Sequence, residues 1–577
     1  MNMKKYIFTL LFFFLAGVYI TYPLIFHLGD SVTGYGDELV YAWMYQWIIH
    51  RVLSGDLINL LNTNIFYPYQ IALSTSDPQI VSAIIGVLPY FVIKEPIVVV
   101  NFTVISSISL LGFSVFLLTF YLTKDFWAAL FSGILVIFSP AFLSFYMHIQ
   151  MLAIVGVPLA ILFFLLFFAS GKFNYLVVSL SCFVLQTYNN FIAGYFILFS
   201  YIIFLFTFWF WKREQLVKRV TKRTLFACIV GLAFIIPIMI PYYHVSQKFQ
   251  YVRDIRETVH LALQPEDFLY SSHFSHLQPY LNALPFNQVS QNDEFKPGYL
   301  GGVFTLLAVF VLGYCIRYFK EIDYLLKSFF SIGLLGLTLS LGPVLHLGRQ
   351  TIHEPFLIPL PYALFYYLVP GFQGFRNSAR WEMLFILAIA VAIALLLVKL
   401  LKRVDVKKRI IIYVLLIFAC LIEYNFPMQF QKMPQVKDFP PVYSWLTTQP
   451  KETVIIELPV YNWNMPYANK EFWRMYYGTV HFTRTVNGTG GFTPPPWQTM
   501  VYEIDASFPS EETLILLRNM GVNTLIVHKE EFDQMYNDRY KVNGEFIQSG
   551  ESIINQLNQS SHVKLLQQFG NDYVYTL

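Results

Sequence analysis

Gly36-Asp37-Glu38 puts two adjacent carboxylates about a dozen residues beyond an apolar segment at 6-26. A carboxylate within hydrogen-bond reach of a hydroxyl can take its proton, and paired carboxylate oxygens suit a hard divalent cation such as Mg or Mn. Asp77 lies in the same polar stretch and could orient a hydroxyl or complete such a cation site. Arg376 and Arg380, four apart just before another apolar run, carry the forked donors that grip a phosphate, on one face if that stretch is already helical. His148 and Gln150 occupy a very short polar turn between two apolar runs. Each has an ordinary reading as well. Asp37 could cap a helix, the arginines could anchor lipid headgroups or pair with Glu382, and the turn could be only a turn.

The elements that must position these residues are membrane spans. Of 577 residues, 56% are hydrophobic, 18% aromatic and only 13% charged, a composition foreign to soluble domains. The net charge of +4 is small and its cations lie between apolar runs, which argues for topology signals and against a nucleic-acid surface. Spans of roughly 20 apolar residues, enough for about 30 Å of hydrocarbon, are expected near 6-26, 97-121, 126-146, 151-170, 174-189, 191-211, 224-243, 299-318, 328-346, 381-401 and 410-427. That is about 11 crossings. Lys4 and Lys5, Lys124, Lys172, Arg213, Lys222, Arg317 and Lys407-Lys408-Arg409 all fall on one side, which the positive-inside rule makes the cytoplasm. The N-terminus is then cytoplasmic, the first segment is an anchor, and the loops at about 27-96, 244-298 and 347-380 face outward together with everything after 427.

Residues 428-577 are a different material. Thr453 to Leu458 and Asn523 to His528 are expected as short buried strands, and Ser510 to Met520 as a helix capped by Ser510. A soluble α/β domain follows, and at about 150 residues it is long enough for its own core. The four cysteines lie inside expected spans, so this domain has no disulfide to draw on. Between its strands, Val486-Asn487-Gly488-Thr489-Gly490-Gly491 marks a shaped loop. The loop with His244, His260, His273 and His276 and with Asp267, Asp293 and Glu294 invites a metal reading, but the His-x-x-His pair of 273 and 276 lacks a third ligand in convincing register.

Taken together, Gly36-Asp37-Glu38-Leu39 with Ala42-Trp43, Asn64-Ile65-Phe66-Tyr67-Pro68-Tyr69 and Ser76-Asp77 resemble the first outside loop of a bacterial multi-spanning family in the GT-C glycosyltransferase superfamily. Met147-His148-Ile149-Gln150 resembles that family's His-containing turn, and Pro370 to Arg380 its two-arginine loop. In the tail, Glu457-Leu458-Pro459, Tyr476-Tyr477, Val486-Asn487-Gly488 and Phe508-Pro509-Ser510 also fit. The resemblance implies a sugar donor on a polyprenyl phosphate, an acceptor outside the membrane, and an aspartate of the first outside loop as catalytic acid-base residue. Asp37 is the matching position. The family commonly has proline after that aspartate, so no role passes to Glu38 by resemblance.

The expected activity is thus transfer of a sugar from a polyprenyl-phosphate donor to a cell-envelope acceptor on the outer face of the cytoplasmic membrane. Asp37 and Asp77 are the catalytic candidates, Arg376 and Arg380 the donor-phosphate ligands, and Glu38, His148, Gln150 and Asn487 further substrate-binding candidates. The partners expected are the lipid-linked sugar, an envelope glycan and the bilayer. A non-catalytic envelope assembly factor, or a transporter of lipid-linked sugars, is the alternative. Transport would put ionisable residues inside the spans, and these spans are nearly free of them.

Overall fold

The computed structural model describes residues 3-34, 36-69, 72-285, 298-347, 350-351, 357-425, 430-463 and 465-577. It divides into two compact units. The first comprises residues 1-26, 103-240 and 251-429; the second comprises 27-102, 241-250 and 430-577. Asp293 and Glu294 of the 244-298 stretch fall outside the described residues.

The first unit is helical. Helices occupy all of the stretches expected to be spans, but they differ in reach. Met3–Ile20, Ile97–Thr123, Ile149–Ser170, Phe191–Trp211 and Ser378–Arg403 are long and apolar enough to cross a membrane, and Lys222–Ala233 with Ile236–Phe249, bent by 44°, adds a sixth if the pair is one span. Phe126–Ile137, Phe173–Thr187, Gly302–Arg317 and Tyr324–Ser340 are shorter. At about 1.5 Å of rise per residue, helices of this length fall short of the hydrocarbon thickness by themselves. The apolar run at 126-146 is cut short for a local reason: the helix ends at Ile137 and Ser139 starts a separate turn on Pro140.

Apolar helices in lipid gain little from hydrophobicity against one another and associate through close packing. A Cβ added at Gly336 would come within 2.6 Å of the Phe385 backbone nitrogen, and one at Gly133 within 2.6 Å of the Gly112 carbonyl and of the Phe13 ring. Small polar pairs tie the same bundle, with Thr119 donating to Ser132 at 3.1 Å and Ser328 to Thr207 at 2.9 Å. The four cysteines are free and sit in helices of this unit.

The second unit joins residues 27-102 and 241-250 to the tail. Five strands form its sheet: β1 (Val454–Leu458), β2 (Arg484–Thr485), β3 (Thr524–His528), β4 (Lys564–Phe569) and β5 (Asp572–Thr576), in the order β4-β5-β3-β1-β2. β1 is parallel to β2 and β3, while β5 is antiparallel to β3 and β4. β1 and β3 are buried throughout, as strands covered on both faces must be. Val442, Tyr443, Leu446, Ile455, Ile526 and Val574 form the core. Ser510 caps the Glu511–Asn519 helix by accepting the Thr513 amide.

The 27-102 segment is stitched to this sheet. Trp43 donates its indole N–H to Asn64 Oδ1 (3.1 Å), Asn64 Nδ2 donates to the Thr483 carbonyl (3.1 Å), and the Thr485 amide donates to the Asn64 carbonyl (2.7 Å). The Tyr67 and Phe66 amides then donate to the Thr485 and Asn487 carbonyls at 2.9 and 3.0 Å. A second seam pairs Ser31–Val32 with Gln431–Lys432.

Candidate functional site

Asp37 begins a helix, Asp37–Leu53, whose preceding residue Gly36 offers no side chain to cap it. Asp37 and Glu38 supply the negative charge that the first turn's free amides and dipole favour. Their environments then diverge. Asp37 stays partly exposed, whereas Glu38 is 1% exposed and accepts a 3.2 Å hydrogen bond from Thr33 through Oε1. Its Oε2 is buried with no hydrogen-bond partner among the described residues. Burial, followed by the charge of Asp37, pushes the Glu38 carboxyl above its usual range. Two neighbouring acids therefore differ in kind: Asp37 reaches solvent and Glu38 is a shielded group with an enhanced hold on its proton.

Asp77 follows a short 3₁₀ turn, Ala72–Thr75, in the same unit. Tyr242 staples this segment by donating to the Leu73 and Ser76 carbonyls at 2.7 and 2.6 Å. The glycine loop of the tail lies against it: a Cβ on Gly491 would be 3.2 Å from the Ser76 hydroxyl and the Thr75 carbonyl. Among the described residues no three His, Cys, Asp or Glu side chains converge as a metal site. Two carboxylates such as Asp37 and Asp77 would hold Mg or Mn only with water and a substrate phosphate completing the oxygen shell.

The arginine loop belongs to the helical unit. Gly371 takes the left-handed conformation (φ +81°), Phe372–Gly374 makes one 3₁₀ turn, and Asn377 starts another, Ser378–Trp381, by accepting the Ala379 amide at 2.9 Å. Arg376 falls in the extended link between the turns, so the shared helical face expected of Arg376 and Arg380 does not form. Asn377 is the physical reason, since its side chain starts the helical run only after Arg376.

Arg376 is 63% exposed, and the ion pair it makes is with Glu257 at a loose 3.7 Å. Glu257 also faces Arg253 at 3.5 Å. Arg380 is half-buried, and its Nε lacks an acceptor among the described residues. His148, ahead of the single turn Ile149–Leu152, feels both cations: burial first, then Arg380, then Arg376, push its imidazole down to about 3. Two arginines and an imidazole held neutral thus stand together, with Glu257, at a loose 3.7 Å from Arg376, as the carboxylate paired to this group. Gln150 is buried beside this turn, where Asn190 donates to its backbone carbonyl at 2.8 Å.

Asn487 is buried in the second unit and its amide is fully engaged there. Oδ1 accepts from the Glu457 amide (2.7 Å) and the Thr485 hydroxyl (3.1 Å), while Nδ2 donates to the Glu457 carbonyl (2.9 Å) and Glu471 Oε1 (3.0 Å). An amide has two donors and two acceptor sites, so none remains for a substrate, and Asn487 serves to lock β1 to the loop after β2. Glu257 and Tyr242 were not singled out from sequence. Neither carries a local pattern that would distinguish it from other loop residues.

No family model and no curated protein matches the sequence. Solved structures do. The chain is similar to arabinofuranosyltransferase AftD from Mycobacteria, at 11% identity and a TM-score of 0.50, over 100% of this chain and 40% of that one. A mutant form of AftD gives 0.52 over 100% and 42%. It is also similar to the oligosaccharyltransferase AglB from Archaeoglobus fulgidus in complex with an inhibitory peptide and a dolichol-phosphate (12%, TM-score 0.46, 92% of this chain and 70% of that one). ArnT from Cupriavidus metallidurans bound to undecaprenyl phosphate aligns at 9% and a TM-score of 0.36 over 99% and 97%. The chain spans about 40% of the length of AftD, and at these identities the likeness is one of fold. On the AftD match, this chain has a GT-C-like fold.

Proposed function

We propose that this protein transfers a sugar from a polyprenyl-phosphate carrier to a cell-envelope acceptor at the extracytoplasmic face of the membrane. The observation that carries the reading is the division of labour within the acid pair: Asp37 opens its helix partly exposed, next to a buried Glu38 with a raised pKa. In the reaction the acceptor oxygen bonds to the anomeric carbon as its proton passes to the Asp37 carboxylate. The bond from that carbon to the phosphate oxygen breaks, and the polyprenyl phosphate leaves with the electron pair. In the helical unit, Arg376 and Arg380 carry the forked donors that suit a donor phosphate, and His148 is kept neutral so that it can hydrogen-bond without adding charge. Asp77 orients the acceptor. Glu38 and Gln150 act from buried positions, as supports for their neighbours.

The topology that suits this reading has about eleven crossings, one for each of the apolar stretches expected from the sequence. The N-terminus is then cytoplasmic and the tail extracytoplasmic, with Lys124, Lys172, Lys222 and Lys407 on the cytoplasmic side.

Transfer of labelled sugar from polyprenyl-phosphate donors by the purified full-length protein tests the proposal. Asp37→Asn keeps shape and removes the base, so turnover should fall by roughly 10²- to 10⁴-fold with thermal unfolding unchanged. Turnover that survives the substitution removes Asp37 from the role. If the wild type consumes no donor across sugar types, the assembly-factor reading takes its place.

A further inference from the structure

The tail carries a large aromatic side chain whose placement the core does not explain. Trp463 is 51% exposed, yet it is held on two sides. Its indole N–H donates to the Gly490 carbonyl at 3.1 Å, and its ring meets Phe472 edge to face at 5.4 Å. Phe472 is itself buried on the Asn469–Tyr477 helix, which is anchored through Glu471 and Arg474 in the tail's ion network. An exposed tryptophan on a floppy loop would lose more conformational entropy on binding than one already braced. Because its only polar atom is satisfied within the protein, what Trp463 offers a ligand is an apolar face fixed in orientation.

What lies beside that face selects the ligand. Gly490 joins Trp463 directly to the segment that precedes Asp77, since the next residue, Gly491, packs at 3.2 Å from where Thr75 and Ser76 present oxygen. Gly488 similarly sits where a Cβ would be 3.3 Å from the Phe66 amide nitrogen. The glycines let the loop approach this closely, so the aromatic face and the Asp77 segment are packed together within the second unit. The nearby charges are mutually paired: Arg474 with Glu471 and Glu531, and Lys470 with Glu531. An anionic headgroup finds no unpaired cation in that set. A neutral ligand with an apolar ring face and a polar rim fits it, and a sugar ring is such a ligand.

We infer that Trp463 is an acceptor-binding residue, the stacking platform for a neutral sugar ring of the acceptor glycan, positioned by Gly490 and Phe472 next to the Asp77 segment. This rests on the glycan-acceptor reading of the protein's function.

The test is equilibrium binding of soluble oligosaccharides of arabinose, mannose, galactose and N-acetylglucosamine to the full-length protein, measured calorimetrically in the Asp37→Asn background. That background separates the two ideas, because binding there does not depend on turnover. At least one of these glycans should bind. Adding Trp463→Ala should weaken it by about tenfold or more, while Trp463→Phe, which keeps an aromatic face, stays within about threefold. Matching unfolding temperatures for the three proteins exclude a folding defect. The inference is overturned if none of the glycans binds, or if Trp463→Ala binds as well as its parent. It is also overturned if brominated phospholipid in nanodiscs quenches the emission that Trp463→Phe removes, which would assign the ring to the bilayer.

Discussion

Arg474 in the tail and Arg376 in the helical unit are the same side chain in opposite circumstances. Arg474 is 4% exposed and surrounded: it donates to Glu471 at 2.7 Å, to Glu531 at 2.6 Å and to the Pro459 carbonyl at 2.8 Å, with Glu457 at 3.9 Å. Arg376 projects outward with one loose carboxylate contact. Burying a guanidinium costs several kcal/mol unless its donors are matched, so the first arrangement persists only because the partners are in place. An exposed arginine pays no such penalty and gains little from a pair at 3.7 Å. The contrast separates a charge that builds the fold from one whose donors remain for an anion. The acids divide in the same way, with Glu457 on β1 and Glu471 on the Asn469–Tyr477 helix both buried and Asp37 partly exposed at its helix end.

The largest effect should follow from breaking the buried side of this contrast. Arg474→Met keeps much of the side chain's length but leaves Glu457, Glu471 and Glu531 without their shared cation. The tail should lose about 3-5 kcal/mol of stability, seen as early loss of hydrogen-exchange protection at the β1 and β3 amides. Unchanged protection would mean that the network is not what secures the sheet. Donor affinity, measured where the protein remains folded, should not change.

How much of this was legible in the sequence depended on whether the cause was local. Ser510 announces its helix because a capping hydroxyl acts over three residues, and the runs around Ile455 and Ile526 announce strands because burial on both faces demands continuous apolar residues. The cysteines fell in helices for the same reason of local apolarity. The join between Asn64 and Thr483 was invisible, since it is made by hydrogen bonds across more than 400 residues of sequence. Glu457 falls inside a strand expected to be buried, and only Arg474 and His528, brought in from elsewhere, explain how a carboxylate survives there. Of the site candidates, Asp37 was distinguishable from Glu38 only by resemblance. Burial distinguishes them physically, and burial of neighbouring residues at a helix start depends on what packs beside it.

A second, smaller effect tests the same network through pH. Burial lowers the His528 imidazole, but hydrogen bonds with Asp572 (2.8 Å) and Glu457 (3.2 Å) outweigh it and raise the group to about 9. A raised folded-state pKa gives stability that is complete below the unfolded value of about 6.5 and is lost as pH rises through the folded value. Burial likewise raises Glu471, which acts in the same sense. Glu457 and Glu531 are lowered: burial opposes this, and His528 and Arg474 respectively prevail, so these groups withdraw stability only as the solution becomes acidic. The tail should therefore weaken between about pH 6.5 and 9 by on the order of 2-3 kcal/mol, and His528→Gln should flatten that slope. A wild-type tail equally stable across the window would show that His528 is neutral in the fold.

The smallest effect on stability belongs to Arg376, and its smallness is the point. Arg376→Ala removes a half-solvated contact with Glu257, which retains Arg253 at 3.5 Å, so unfolding should shift by less than about 0.5 kcal/mol. The same substitution should raise the KM for a polyprenyl-phosphate donor by about tenfold, the loss expected when one charge-assisted phosphate contact goes. It should also relieve His148 of one of the two cations that hold its pKa down, moving its titration upward when followed by NMR of the labelled imidazole. That last readout separates local electrostatics from substrate binding. A rise in KM with an unmoved His148 would place Arg376 on the donor without electrostatic coupling to the turn, whereas a moved His148 with an unchanged KM would leave the arginine near the turn but not on the phosphate.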